Sequence, residues 1–404
     1  RWDRSRRPRH PPLPETITGM DVDSFHALLA DSGRAATDAA TAALDAGRDP
    51  LVVATDVRRF APGLSPGVAA AAITQARLRR RGRAKFGAAA DRMWFTPDGV
   101  EQATRAEVAD HRAARFRTFT ARLGRAPRVA DLCCGIGADL RALASTGCEV
   151  TGFDRDPLTV EVARANIAAL GITGATVECL DVETRDLTGF DAAFLDPARR
   201  HEGRRTFDVR AYSPPWSYVT DLLGALPAAV KVAPGIPHDI VPDGVETEWV
   251  SFGGDLKEAV LWSGPLATPG VRRRATLLPS GVSLMAGLAA PTSPPLRGHI
   301  QRARDENSPQ DRADDALRYL YEPDPAVVRA HLVSDVADLV DGRLLDPTTA
   351  YVTSDRLAPT PYARAFEIEH VMAFSLKRLR QELRDRGVGA VTIMKRGSAV
   401  DVEQ

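Results

Sequence analysis

Through residues 21–125, apolar positions recur at the spacing of helices that bury one face. FHALLADSG opens this block. Ser65-Pro66 supplies a cap and a first-turn proline for the helix GVAAAAITQARLRRRGRAKF. From residue 126 the pattern changes to short apolar runs separated by helical stretches, as βαβ units require. PRVADLCC, CEVTGFD, ATVECLD, DAAFLDP and AAVKVAP read as strands and ADLRALAS as a helix. Asp156-Pro157 caps and starts a further helix, which Gly171 ends. WVSFGG and EAVLWSG read as a closing antiparallel hairpin turned at Gly253-Gly254-Asp255.

Proline, serine and charge then dominate residues 285–315, which read as a linker. Helical spacing returns in PAVVRAHLVSDVADLV and in the basic FSLKRLRQELRDRG, followed by the strand-like GAVTIMKRG. The expected organisation is a helical domain over 21–125, a Rossmann-like α/β domain over 126–284, the linker, and a small α/β domain over 316–404 cut short at its last strand. Residues 1–20 read as a disordered leader: RWDRSRRPRHPPLPETITG has no apolar core, and Met20 is the expected native start. A basic RNA-binding arm is the alternative for this segment. No internal repeat is visible.

Composition narrows the classes. At 404 residues the chain exceeds a usual single domain, and its longest apolar stretch, GVSLMAGLAAP, falls far short of the ~20 residues of a membrane helix. The cysteines Cys133, Cys134, Cys148 and Cys179 form no C-x-x-C pair, so neither a zinc module nor a disulfide framework is expected, no metal site is assigned, and a reduced cytoplasmic compartment follows. Formal charge is zero overall, yet residues 1–128 carry 23 basic and 14 acidic groups against 14 and 21 in residues 129–284. The densest basic run, Arg77 to Lys85, is either a solvated helix end or a phosphate-contacting surface. With 48 Arg against 5 Lys among abundant Ala, Gly and Pro, codon composition explains the arginine count as well as nucleic-acid binding does.

The chemistry gathers at the strand ends, where open parallel sheets bind ligands. Strand one ends in Asp131-Leu-Cys-Cys-Gly135-Ile-Gly137-Ala-Asp139, whose glycines let a ligand approach the backbone. Leu140 stands where a nicotinamide-type fingerprint needs its third glycine. An acid before such a loop suits S-adenosylmethionine, a cation at both ammonium and sulfonium. Asp154 ends strand two, placed to accept from ribose hydroxyls, and Asp181 ends strand three, placed to accept from an adenine amino group. Asp196-Pro197 ends strand four. Singly, Asp154 and Asp181 also read as caps or turn residues; the four in order argue for the cofactor. His201 and His238 read as surface or structural residues, and Cys133 and Cys134 as small packing residues.

These motifs resemble those of class I S-adenosylmethionine-dependent methyltransferases. The resemblance implies that the Asp196-Pro197 turn faces the transferable methyl group: Asp196 holds an acceptor amine and Pro197 stiffens the turn. Arg199, Arg200, Arg204 and Arg205 are then candidates for substrate phosphate or carboxylate. Ser213-Pro214-Pro215-Trp216 spells the strand-four motif of amino-directed nucleic-acid methyltransferases, 17 residues after Asp196. It reads as a helix start, with Trp216 a candidate to stack on a base. No cysteine follows Cys179, so pyrimidine-carbon methylation through a cysteine nucleophile is disfavoured and a nitrogen or oxygen acceptor expected.

The stretch from GVEQATRAEVADHRAARF to FLDPARR resembles the trimethylguanosine synthase-like branch, which implies contacts to cofactor or substrate from Glu101, Gln102 and Thr104. That branch carries Pro-Pro-Trp where this chain has Pro197-Ala198-Arg199. AKFG, EQAT, DPARR and KRG together resemble a bacterial methyltransferase family with a THUMP-like C-terminal domain, implying a structured RNA partner and a nitrogen target. A protein or small-molecule methyltransferase and a non-catalytic S-adenosylmethionine- or RNA-binding module remain the alternatives. A monomer is compatible with the sequence, which does not specify the oligomeric state.

Overall fold

The structure, a computed structural model, describes residues 20–60, 63–201, 204–205, 212–287, 316–346, 349–372 and 375–393. Side chains at 50, 51, 60, 199–201 and 204–205 are outside that description. So are the expected leader, the linker from residue 288 and the KRG at 395–397.

The chain gathers into two compact units. The first runs to Ala106 and takes in Cys134–Ser145 and Glu149–Arg185; the second holds Glu107–Cys133, Thr146–Cys148 and the chain from Asp186 onward. In chain order the first unit contributes α1 (Val22–Leu29), α2 (Asp31–Asp45), α3 (Pro50–Phe60), α4 (Pro66–Phe86) and α5 (Pro97–Gln102). The second contributes α6 (Ala106–Leu123) and β1 (Arg128–Leu132). The first returns with α7 (Ala138–Ala144), β2 (Glu149–Asp154), α8 (Pro157–Leu170) and β3 (Ala175–Cys179).

The second unit continues with β4 (Ala192–Leu195), β5 (Ala198–His201), β6 (Arg204–Arg205), β7 (Tyr212–Ser213), α9 (Trp216–Ala225) and β8 (Ala228–Val232). Next come β9 (Glu246–Phe252), β10 (Asp255–Trp262), β11 (Val271–Leu278) and β12 (Val282–Gly287). The C-terminal part adds β13 (Tyr319–Pro323), α10 (Pro325–Arg329), α11 (Val333–Leu339), β14 (Arg343–Leu344), β15 (Val352–Ser354), β16 (Ala363–Glu367) and α12 (Leu376–Asp385).

In the first unit, the expected caps form. Ser65 accepts from Val68 N, Asp156 accepts from Thr159 N, and Gly171 closes α8 at φ 66°. Phe25, Leu28, Ala72, Trp94, Ile136 and Val162 belong to one core, so the glycine-loop residue Ile136 is packed among the N-terminal helices. The basic run of α4 is largely committed within this unit. Arg79 is 4% exposed, donating to Met93 O and Asp38; Arg83 pairs with Asp45 and Asp91; Lys85 donates to Glu101 O and Ala103 O. Of the two readings of this run, neither is decided by these pairs, which engage Arg79, Arg80, Arg83 and Lys85.

In the second unit, seven strands follow the order β12-β11-β9-β10-β8-β4-β1. β1, β4 and β8 are parallel, while β8, β10 and β9 alternate direction, so the expected hairpin forms with Gly253 at φ 61° and Gly254 at φ 83°. The hairpin β11–β12, turned at Pro279-Ser280-Gly281, was not anticipated from the sequence. α6 lies on this sheet through charge. Arg112 pairs with Glu258 at 2.6 Å, and Arg115 bridges Glu246 at 2.7 Å and Glu248 at 2.9 Å. Glu248 also accepts from Thr276, Trp262 Nε1 and His111.

The C-terminal sheet runs β14-β15-β13-β16, antiparallel throughout. Two expectations change here. PAVVRAHLVSDVADLV is two helices rather than one, broken where His331 adopts φ 56° and stacks on His238 at 4.0 Å. Residues 389–393 of the strand-like GAVTIMKRG form no strand, and Val391 and Ile393 are 53% and 59% exposed, without the sheet face their pattern anticipates. Among the described residues, no helix is long and apolar enough to cross a membrane, and no group of His, Cys, Asp and Glu forms a metal site.

Candidate active site

The first unit carries the expected cofactor loop. Gly135 and Gly137 take φ 54° and 84°, and a Cβ at Gly135 would meet nothing within 4 Å: the backbone there is open to a ligand. Three supports hold the loop. Cys134 N donates to Phe153 O at 2.9 Å. The Asp154 carboxylate accepts from Gly135 N at 3.0 Å and from Asp156 N at 3.1 Å. Asn166, 2% exposed, donates to Ile136 O and Trp94 O and accepts from Trp94 N.

Burial raises the Asp154 pKa above the ordinary carboxylate value, against the backbone N–H groups that favour its ionised form. Gly152 allows β2 to lie close: a Cβ there would fall 2.6 Å from Leu140 Cδ1 and 3.0 Å from Cys134 Sγ. Gly99 of α5 sits directly on the loop, since its Cβ would come 2.4 Å from Ile136 Cγ2. Two residues past α5, Thr104 donates to Asp139 Oδ2 at 2.9 Å, both side chains being buried. Glu101 and Gln102 are exposed. Asp181 accepts from Glu183 N, capping a short 3-10 turn. Asn166 was missed by sequence reading; a polar residue on the apolar face of ARANIAAL is its only signal.

The second unit carries Asp131 and the Asp196-Pro197 turn. Asp131 lies in β1, opposite Phe194 of β4 and 1% exposed. Asp196 follows β4, its N–H donating to Leu132 O. Its Oδ2 accepts from Lys231 Nζ of β8 at 2.5 Å, with the lysine side chain 8% and the aspartate 24% exposed. Lys231 too was missed, although a lysine inside the apolar strand AAVKVAP, in a chain with five lysines, is a visible anomaly.

Pro197 leads into β5, which pairs with β7: Ala198 faces Ser213 and Arg199 faces Tyr212. Ser213-Pro214-Pro215-Trp216 therefore starts α9, as expected, and also returns to the Asp196 turn. The Tyr212 hydroxyl accepts from Ala233 N at 2.8 Å, and its ring meets Trp216 edge-on at 6.1 Å. Arg200 pairs with Arg205 in the β5–β6 ladder, while the four arginine side chains fall outside the described residues. His238 is structural: it stacks on Trp249 at 4.8 Å and bonds Arg329 O, and burial lowers its pKa.

A family model described as a methyltransferase domain matches residues 129–202, one described as THUMP domain-like matches 363–404, and a domain of unknown function matches 21–82. An uncharacterized S-adenosylmethionine-dependent methyltransferase of Mycobacterium tuberculosis (strain CDC 1551 / Oshkosh) is 36% identical over 340 residues, covering 80% of this chain and 84% of that protein. The strain ATCC 25618 / H37Rv has a relative with the same figures.

The chain belongs to the S-adenosylmethionine-dependent methyltransferases.

The crystal structure of a proposed methyltransferase from Porphyromonas gingivalis W83 shares the fold of this methyltransferase. It has a TM-score of 0.57 at 24% identity, with 80% of this chain and 79% of that one covered. S-adenosylmethionine is the cofactor, and the residues present fit it. The glycine loop is open above Gly135, and the Asp154 carboxylate, with about four acceptor positions, uses two on backbone N–H groups and keeps others for hydroxyls.

Proposed function

We propose that this methyltransferase modifies an exocyclic or ring nitrogen of a structured RNA. The observation that carries the reading is the β5–β7 pairing, which brings Ser213-Pro214-Pro215-Trp216 beside Asp196-Pro197. An acid that accepts an amine N–H and an aromatic ring that stacks on a base are then joined through one strand pair beyond the carboxyl end of β4. The THUMP domain-like match at 363–404 supports an RNA partner by analogy.

When bound, S-adenosylmethionine supplies an electrophilic methyl group whose bond to sulfur breaks as the bond to nitrogen forms. Gly135, Gly137, Asp139, Asp154 and Asp181 would hold it, with Thr104 steadying Asp139. Asp196 accepts an N–H of the acceptor, turns the nitrogen lone pair toward the methyl, and takes the proton that the alkylated nitrogen sheds. Pro197 keeps the turn in one conformation. Arg199, Arg200, Arg204 and Arg205 supply cations for the RNA phosphates.

The test uses the pure protein, methyl-labelled S-adenosylmethionine and an extract of cells lacking its gene. Label in RNA, lost with Asp196→Ala while cofactor affinity holds, supports the reading. Label confined to protein or small molecules overturns it.

A further inference from the structure

The Lys231–Asp196 pair carries a consequence for which acceptors are admitted. β1 and β8, which flank β4, carry Asp131 and Lys231 among their charged groups, and Arg112 comes from α6. Arg112 lies 4.5 Å from the Phe194 ring and is itself paired with Glu258. Lys231 alone of these bonds the Asp196 carboxylate, by Oδ2. Among the described residues, Asp196 Oδ1 accepts no hydrogen bond. The lysine is 6% exposed and sits in a strand that is buried at every position, so its charge is not screened by water. Two residues on, Ala233 N donates to the Tyr212 hydroxyl, so one strand end anchors both Asp196 and Tyr212.

We infer that Lys231 is a positioning residue that holds Asp196 by one oxygen, leaves the other to accept an acceptor N–H, and cancels the carboxylate charge, so that the acceptor position takes an uncharged planar amine and rejects an alkylammonium ion. The inference rests on the reading of Asp196 as the acceptor-holding acid. A lone carboxylate would attract a cationic amine as strongly as it bonds a neutral one. With the ammonium 2.5 Å away the pair is neutral, and a bound alkylammonium would lie beside a like charge. An aromatic or heteroaromatic amine is uncharged at neutral pH and donates an N–H to Asp196 Oδ1.

The test compares wild type with Lys231→Met, Lys231→Gln and Lys231→Arg, using total RNA from cells lacking the gene as methyl acceptor and ethylammonium chloride as inhibitor. Lys231→Met is expected to lose at least tenfold in kcat/KM while S-adenosylhomocysteine affinity stays within twofold. Ethylammonium should inhibit Lys231→Met at least tenfold more strongly than wild type. Lys231→Arg should restore resistance to ethylammonium even where its rate is reduced. Should Lys231→Met not fold, Lys231→Gln, which keeps a donor to Asp196 without the charge, is read in the same way. Unchanged ethylammonium inhibition in the folded neutral variant overturns the inference, as does equal sensitivity in Lys231→Arg and the neutral variant. Asp196→Asn separates the two ideas: full activity in that variant overturns the role of Asp196, whereas its loss beside an unaltered Lys231→Met overturns only the role of Lys231.

Discussion

Ala198 and Ser213 face each other across an antiparallel pair, and so join two motifs that look unrelated along the chain. One is the acid-Pro turn after β4 and the other the Pro-Pro-Trp that begins α9. In the amino-directed pattern these features share a single motif; here a chain excursion separates them and strand pairing reunites them.

Trp216→Ala should therefore raise KM for RNA by roughly 5- to 100-fold, the ~1–3 kcal/mol of a lost base stack. Cofactor affinity should hold, and Trp216→Phe should recover most of the loss. Steady-state kinetics with labelled cofactor and isothermal titration of S-adenosylhomocysteine check both parts. A Trp216→Ala enzyme with unchanged KM would remove the stacking role.

Asp154 gives a pH dependence with a definite sign. Its folded pKa lies above the ordinary value, chiefly through burial, so ionising it costs the free protein stability as pH rises through that pKa. A ligand whose ribose hydroxyls donate to the carboxylate favours the ionised form. S-adenosylhomocysteine affinity should then rise with pH through the raised pKa and level off above it, with proton release at the acid end. Titration calorimetry in two buffers of different ionisation enthalpy measures this directly. Asp154→Asn should weaken binding and remove the slope; the same slope in that variant would assign it to another group.

The β2, β3 and β4 ends were legible because each apolar run stops at an acid, and Gly135 and Gly137 mark the loop because a bound ligand needs an open backbone. What escaped reading depends on partners distant in sequence. Lys231 and Asn166 each look like a polar residue misplaced in an apolar element until Asp196 or Trp94 is beside it. The partners of the run Arg77 to Lys85 were not legible either, because Asp38, Asp45 and Asp91, which engage three of its arginines, lie elsewhere in the chain. His331 broke a periodic helix for a similar reason: the ring it stacks on belongs to His238.

Glu248 predicts acid lability of the second unit. Burial would raise its pKa, but the Arg115 charge and the bonds from His111 and Thr276 hold it well below the usual carboxylate range. A depressed folded pKa contributes stability that is present above the unfolded value and lost as pH falls through the folded one. Arg115→Met leaves Glu246 with Arg274 as its remaining arginine and deprives the buried Glu248 of its guanidinium, and should cost about 3–5 kcal/mol at neutral pH. Chemical denaturation across pH checks this: the variant should lose most of the wild-type rise in stability between acid and neutral pH. A neutral-pH loss below ~1 kcal/mol would show that the two glutamates are adequately held by Arg274, Trp262, His111 and Thr276 alone.

Asn166 is the last and sharpest case, because its amide satisfies three backbone groups at once. Asn166→Leu has nearly the same volume but leaves Trp94 N–H, Trp94 C=O and Ile136 C=O without their partner in a buried setting. Each such group costs ~1–3 kcal/mol, so a loss of about 3 kcal/mol or more is expected from denaturant melts. The Ile136 carbonyl belongs to the cofactor loop, so the damage should extend beyond stability. At a temperature where the variant is still folded, S-adenosylhomocysteine affinity should fall at least tenfold, because the loop is no longer held in its open form. Asn166→Asp keeps the acceptor for Trp94 N–H but buries a carboxylate against two carbonyl oxygens, and should be at least as destabilised as Asn166→Leu at neutral pH. If Asn166→Leu were destabilised yet bound the cofactor normally, the loop would owe its shape to Asp154 and Phe153 alone, and the role of α8 would be confined to holding the helices of the first unit together.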